Sequence, residues 1–235
     1  MAEHRTAEEV RDRHMRDMGP ELGAVYNVLY NEVSWLHAKW EQYRHLFAKS
    51  ERRIELLNET AGYLFRIIQD TVFENVVLGL ARLTDRIQTG RGKKQQENLT
   101  LQRLPSLVSD AQLRLELPAL VKAALDACAT MKTWRNKRFA HYDLAIALAT
   151  AGDPLPGISR VDVEAALTAF RALLNKLEGH YWDSEVHYQM VLTNLGDATS
   201  LVHYLSKGLK AERVWRERLQ AGTPLPEDLS PEEEV

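Results

Sequence analysis

Leu22, Tyr26, Leu29, Val33, Leu36, Trp40, Tyr43 and Phe47 recur at alternating steps of four and three residues. A strand cannot use such spacing, because its side chains change sides at every residue. A helix can, because steps of three and four return to the same face. The repeat is close to a heptad, and Asn27, Asn31, Glu32, Lys39, Glu41 and Arg44 fall largely off it. It predicts a long amphipathic helix over roughly 21–49 and a fold that must bury one side of it.

The same period governs most of the remaining chain. Leu57, Ala61, Leu64, Ile68, Val72, Val76, Leu80 and Leu83 predict a second helix from about Glu51 to Asp85, and Val76, Val77 and Leu78 widen its apolar face toward a central position. Gly62 and Gly79 each disfavour that helix by roughly 1 kcal/mol; close approach of a neighbouring helix is one reason to keep them. Thr89-Gly90-Arg91-Gly92-Lys93-Lys94 breaks the pattern as a basic loop. A short helix redirected at Pro105 is expected within Leu99–Val108. Another is expected over Asp110–Trp134, with Leu120, Ala124, Cys128 and Met131 as its stripe and Pro118 near its start. Asp153-Pro154-Leu155-Pro156-Gly157 reads as a loop. Ser159 with Asp162 reads as an N-cap, opening a helix striped by Val163, Leu167, Phe170, Leu174, Leu177 and Tyr181. A last helix is expected from Asp197, with Leu201, Leu205 and Leu209 on one face. With no alternating strand pattern and no linker between two cores, the expected fold is an all-α antiparallel helical bundle in a single domain, 20–219. A charged leader, 1–19, precedes it, and a Pro- and Glu-rich tail, 220–235, expected to be disordered, follows it.

Charge and cysteine content narrow the function classes. A net charge of −3 excludes a chain that binds polyanions over its whole surface, so any such site is a local patch. The lone Cys128 can form neither an internal disulfide nor a thiolate metal cluster. The first eighteen residues carry no apolar segment of signal-peptide type, and no uncharged apolar run is long enough to span a bilayer. A cytoplasmic location is expected.

The stretch with chemistry in it is Trp134-Arg135-Asn136-Lys137-Arg138-Phe139-Ala140-His141-Tyr142-Asp143. Histidine titrates near neutral pH and can move a proton. Arginine stays charged and offers a planar fork matched to phosphate oxygens. Asn136 can hydrogen-bond without adding charge, which suits orienting His141 or the backbone, and Lys137 and Arg138 thicken the local positive field. Arg135 and His141 lie six residues apart, about 120° around an ideal helix. Either the helix is distorted, or the long arginine reaches around, or a second protomer completes the site. Arg138 lies one turn before His141 and could hold the phosphate in place of Arg135. Asp143 could orient His141 or begin the next turn.

An arginine, a polar residue and a histidine with five residues between the first and last resembles the signature of HEPN (higher eukaryotes and prokaryotes nucleotide-binding) domains. The flanking segments Tyr30–Leu36, Asn75–Asp85 and Asn98–Leu101 extend the resemblance, over roughly 20–215, to the abortive-infection, U-type group of that family. The resemblance implies a helical bundle that pairs into a homodimer across one cleft, and a metal-independent endoribonuclease of a defence or toxin–antitoxin system. Arg135, Asn136 and His141 would then be catalytic, without cofactor or metal, with RNA as substrate and an antitoxin or other defence component as a further partner. The other reading is a catalytically inactive HEPN module that docks a nucleotide or a protein. Arg91, Lys93 and Lys94, with Lys137 and Arg138, are the residues expected to meet an RNA backbone. His180, Asp183 and His187 have helix-face spacing that could hold a metal, though surface histidines fit them better. The aromatic stripe of Trp35, Trp40, Tyr43 and Phe47 is expected to be core or dimer surface rather than a platform for bases.

Overall fold

The computed structural model describes residues 6–90, 92, 95–139, 144–148, 154–190 and 196–229. Its first helix, α1 (Ala7–Met18), lies within the charged leader. Thr6 accepts a hydrogen bond from the Glu9 amide at 3.2 Å, and Glu9 accepts one from the Thr6 amide at 2.7 Å, so two otherwise orphaned donors are satisfied. Gly19 then takes φ 86°, a conformation that favours glycine, and Pro20 opens α2 (Pro20–Phe47) as a first-turn proline. The stripe read from the sequence is buried as expected, from Leu22 through Trp40 to Tyr43.

Gly23 marks where α1 and α2 meet. A Cβ at that position would lie 2.3 Å from the His14 carbonyl oxygen, and backbone cannot rotate away as a side chain can. Gly23→Ala is therefore expected to destabilise the protein. Overpacking costs about 1–3 kcal/mol and outweighs the roughly 1 kcal/mol that alanine adds to a helix. A urea midpoint lowered at unchanged slope is the expected result; an unchanged or raised midpoint would mean that α1 is not packed there.

The second long helix, α3 (Glu51–Leu83), contains one non-helical residue, Ala61, at φ −154° and ψ 56°. That break shifts the buried face by one position, which corrects part of the expected stripe: Leu64 is 53% exposed and Phe65 is 6% exposed. Gly79 does serve close approach, since a Cβ there would fall 2.5 Å from Leu36 Cδ2, whereas nothing crowds Gly62, which directly follows the break.

Two strands of two residues, β1 (Gln88–Thr89) and β2 (Gln96–Glu97), pair antiparallel at the base of the basic loop. They are too short and too polar to leave an alternating pattern, which is why none was expected. A 3₁₀ turn, Leu101–Arg103, leads into α4 (Leu104–Leu107), with Pro105 in its first turn. The long helix expected over Asp110–Trp134 is divided at Cys128 into α5 (Ala111–Ala127) and α6 (Ala129–Trp134). Leu113, Leu117 and Val121, rather than Leu120, head its buried stripe. After α7 (Leu144–Ala147), Ser159 and Asp162 form the expected cap of α8 (Arg160–Trp182). Asp197 caps α9 (Ala198–Gln220). On α9, Val202 and Leu205 face inward, and Leu201 is 41% exposed. Within the Pro- and Glu-rich tail, Pro226–Leu229 forms a 3₁₀ turn in which Asp228 pairs with Arg218.

The chain divides into two compact units, one of 1–40 and 72–191, the other of 41–71 and 192–235. In the first, α5 packs on α8, and α2 is tied to α8 by two hydrogen bonds: Tyr26 Oη donates to Glu178 at 2.6 Å, and Trp40 Nε1 donates to Glu164 at 2.7 Å. In the second, Leu46, Leu57, Phe65 and Ala198 form the core. Apart from the paired dipeptides, regular structure among the described residues is helical, and the fold is all-α.

Candidate functional site

The Arg-Asn segment follows α6 without a loop. Arg135–Phe139 forms a π-helical turn, in which backbone bonds reach five residues instead of four. Such turns are uncommon and widen the helix locally. The distorted-helix alternative raised by the spacing of Arg135 and His141 is thus realised over the first five residues of the motif. Trp134 anchors the turn. Its indole N–H donates to the Pro156 carbonyl at 2.5 Å, Phe139 packs against its ring at 5.8 Å, and the Arg138 guanidinium lies 5.3 Å above the ring centre.

Arg135 is held on three of its nitrogens. Nη1 pairs with the Asp85 carboxylate, and Nε and Nη2 both donate to Asn136 Oδ1, at 3.0 and 2.9 Å. Among the described contacts, Asn136 therefore orients Arg135. Asp85 is itself fixed: its carbonyl accepts from Thr100 Oγ1 at 2.8 Å and from Gln102 Nε2 at 2.6 Å, and Thr100 is fully buried. The Arg135 and Asp85 side chains are 23% and 22% exposed, so the pair is open to solvent at one side. Asn136, Lys137 and Arg138 are exposed.

Lys132 precedes Arg135 by one helical turn. Partial burial lowers its pKa, Asp85 and Cys128 work against that shift, and Arg135 and Arg86 add to it. One carboxylate, Asp85, thus stands among the cations Arg86, Lys132 and Arg135. Arg86 also marks the base of the basic loop, where Asn98 Nδ2 donates to its carbonyl at 2.8 Å. The motif and the base of the loop therefore meet at Asp85-Arg86. His141, Arg91, Lys93 and Lys94 lie outside the described residues. Cys128 is not a candidate nucleophile, because burial pushes its thiol up to about 12.

A family model of the HEPN group, described as AbiU2, matches residues 19–200, most of the chain and all of the motif. The chain belongs to the AbiU2 family of HEPN proteins. No curated protein and no solved structure matches it. The family assignment and the all-α fold agree with the resemblance read from the Arg135–His141 spacing.

Asp85 and Lys132 are the residues of this AbiU2-family site that sequence reasoning missed. Lys132 could have been found from its three-residue step to Arg135. Asp85 could not, since it lies fifty residues before its partner. The metal reading of His180, Asp183 and His187 assumed a continuing helix. Asp183 instead ends α8 in a left-handed conformation, at φ 48°, so His187 leaves that face. Among the described residues no three His, Cys, Asp or Glu side chains are grouped to hold a metal, and no helix is long and apolar enough to cross a membrane.

Proposed function

We propose that this AbiU2-family protein is a metal-independent endoribonuclease acting in defence, as the toxin of a toxin–antitoxin pair or a related system. The observation that carries the reading is Arg135, held by Asp85 and Asn136 in a widened, solvent-reachable turn six residues before His141. Preorganised cations of this kind stabilise charge that develops on phosphate during reaction. His141 takes the ribose 2′-OH proton, the 2′-oxygen attacks the adjacent phosphorus, and the 5′-oxygen of the next nucleotide leaves with a proton. A cyclic phosphate remains on the 5′ fragment. Lys137, Arg138, Arg91, Lys93 and Lys94 supply contacts to the RNA backbone, and two copies of the chain line a shared cleft.

The test is incubation of purified protein with mixed RNA and with DNA of the same sequence, in EDTA. RNA cleavage that leaves cyclic phosphate ends, with DNA spared for want of a 2′-OH, is the expected result. Cleavage of both, or of neither in any cellular extract supplying an activator, overturns it. One observation favours the second reading, a silent binding module: the Arg135–Asp85 pair is of a kind that also serves purely to hold a helix end.

The same pair yields a prediction. Asp85→Asn keeps the shape of the side chain and removes the charge that holds Arg135. Misplacing a reacting group by an ångström costs up to about 100-fold, so kcat is expected to fall about 10- to 100-fold with KM little changed. Asp85→Glu is expected to recover part of the loss. Equal kcat in wild type and Asp85→Asn would remove Asp85 from the site.

A further inference from the structure

Trp35, expected with Trp40, Tyr43 and Phe47 to be core or dimer surface, is not core: it is 63% exposed. It lines a groove of about 580 Å³ between α2 and the segment after α8, within the size range of small-molecule sites. The opposite wall is Tyr188, which is 4% exposed and backed by the His37 ring at 5.7 Å in a stacked arrangement, with Met190 at the rim. That wall is preformed. Asn175 on α8 accepts from the Val186 amide at 3.0 Å and donates to the Val186 carbonyl at 3.1 Å, and Ser184 donates to Glu178 at 3.2 Å. A large indole held open to water opposite a fixed aromatic wall suits a flat, partly polar ring.

The surroundings of Trp35 say which ring. Lys39, one turn along α2, holds its ammonium 5.9 Å above the indole. Glu32, one turn back, pairs with Arg82 at 2.8 Å. The charged side chain lining the groove, Glu32, is thus neutralised by Arg82, and a second cation, Lys39, lies over Trp35, a balance suited to a ring that carries an anionic chain. Arg82 leads directly to the motif: it lies in the last turn of α3, its carbonyl accepts from the Asp85 amide at 3.1 Å just past the helix end, and Asp85 pairs with Arg135. Trp35, Glu32, Arg82, Asp85 and Arg135 form an unbroken succession of contacts and chain neighbours within one compact unit.

We propose that this groove is a nucleobase subsite, in which Trp35 stacks on an unpaired base of an RNA strand whose phosphate lies at Arg135. The assignment rests on the ribonuclease reading and names how its substrate is held: single-stranded, with one base splayed out of its stack. Sequence-specific recognition of RNA commonly takes that form.

The experiment measures binding by fluorescence anisotropy of labelled single-stranded RNA of mixed sequence, in a His141→Ala background that leaves the probe intact. Trp35→Ala is expected to weaken binding about 5- to 150-fold, the range for loss of one base–aromatic stack. Trp35→Phe should recover most of it. A second probe, an abasic ribose-phosphate strand of equal length, should bind Trp35→Ala and the Trp35 protein equally, because it has no ring to stack. The salt dependence should be unchanged by Trp35→Ala, since no phosphate contact is lost. If both proteins bind the base-bearing RNA equally, the subsite is overturned while the ribonuclease reading stands. If neither binds RNA, both fall. If Trp35→Ala leaves RNA binding intact but lowers the mass measured by light scattering, the groove receives a second copy of the chain and the proposal is overturned.

Discussion

Replacing His141 by alanine is expected to lower RNA cleavage by about 10²–10⁴-fold, the range for loss of a general acid or base. Arg135→Ala is expected to cost a comparable factor by a different route. It removes a cation whose attraction to phosphate grows as charge accumulates there, so kcat and kcat/KM should fall together. Circular dichroism of each variant separates lost chemistry from lost fold. Arg138 supplies the internal comparison. Its guanidinium lies over Trp134, 5.3 Å from the ring centre, while Arg135 is held by Asp85 and Asn136. Arg138→Ala is accordingly expected to weaken binding more than turnover. Should Arg138→Ala be inactive and Arg135→Ala active, the phosphate is held one turn further along and Asp85 has a structural role alone. Equal cleavage by wild type and His141→Ala would remove the histidine from the mechanism.

Helix periodicity carried most of the fold because burial and spacing are one constraint. The α2 stripe and the α8 stripe from Val163 to Leu177 are buried at nearly every position read from the sequence. What escaped was local geometry that no periodicity encodes. Ala61 is a good helix former, and although Gly62 beside it weakens the helix, one glycine does not say where or whether the backbone breaks; the break falls at Ala61, and in the next turn Phe65 replaces Leu64 inside. The β1–β2 pair has two residues in each strand, below the length at which alternation exists. For the site, the motif was legible because Arg135, Asn136 and His141 are neighbours in sequence. Its electrostatic setting was not, because Asp85 and Thr100 reach it from other segments of the chain. Trp35 was assigned with the aromatics around it. It lies one residue before Leu36, off the four-and-three stripe, and that single step decides between core and groove.

Stability is expected to fall steeply as pH drops from neutrality toward 4, with buried histidines as the cause. His37 is 4% exposed, and burial pushes its imidazole from 6.5 down to about 4. The Arg171 guanidinium opposes protonation further, and only a hydrogen bond to the Leu167 backbone favours it. The remaining face of the ring is taken by the Tyr188 ring, which offers no countercharge. His14 is shifted in the same direction, again by burial first and slightly by Arg13, although Asn27, Glu178 and Asp17 pull against it. Above about 6.5 neither the folded nor the unfolded chain protonates His37, and its contribution to stability is complete. As pH falls below that value the unfolded chain takes up a proton that the folded chain refuses, and the loss continues until the folded group titrates near 4. From His37 alone the loss is about 2 kcal/mol by pH 5 and about 3 kcal/mol at the lower limit. Capping carboxylates such as Asp162 and Asp197, held below the usual range by hydrogen bonds to backbone amides, add their losses at lower pH. Urea midpoints between pH 7.5 and 5 therefore isolate the histidines. His37→Phe keeps a ring against Tyr188 and removes the titrating group, so its midpoint should vary much less with pH than that of wild type. Identical pH slopes in the two proteins would show that His37 protonates as readily folded as unfolded, and that its burial between α2 and α8 carries no electrostatic cost.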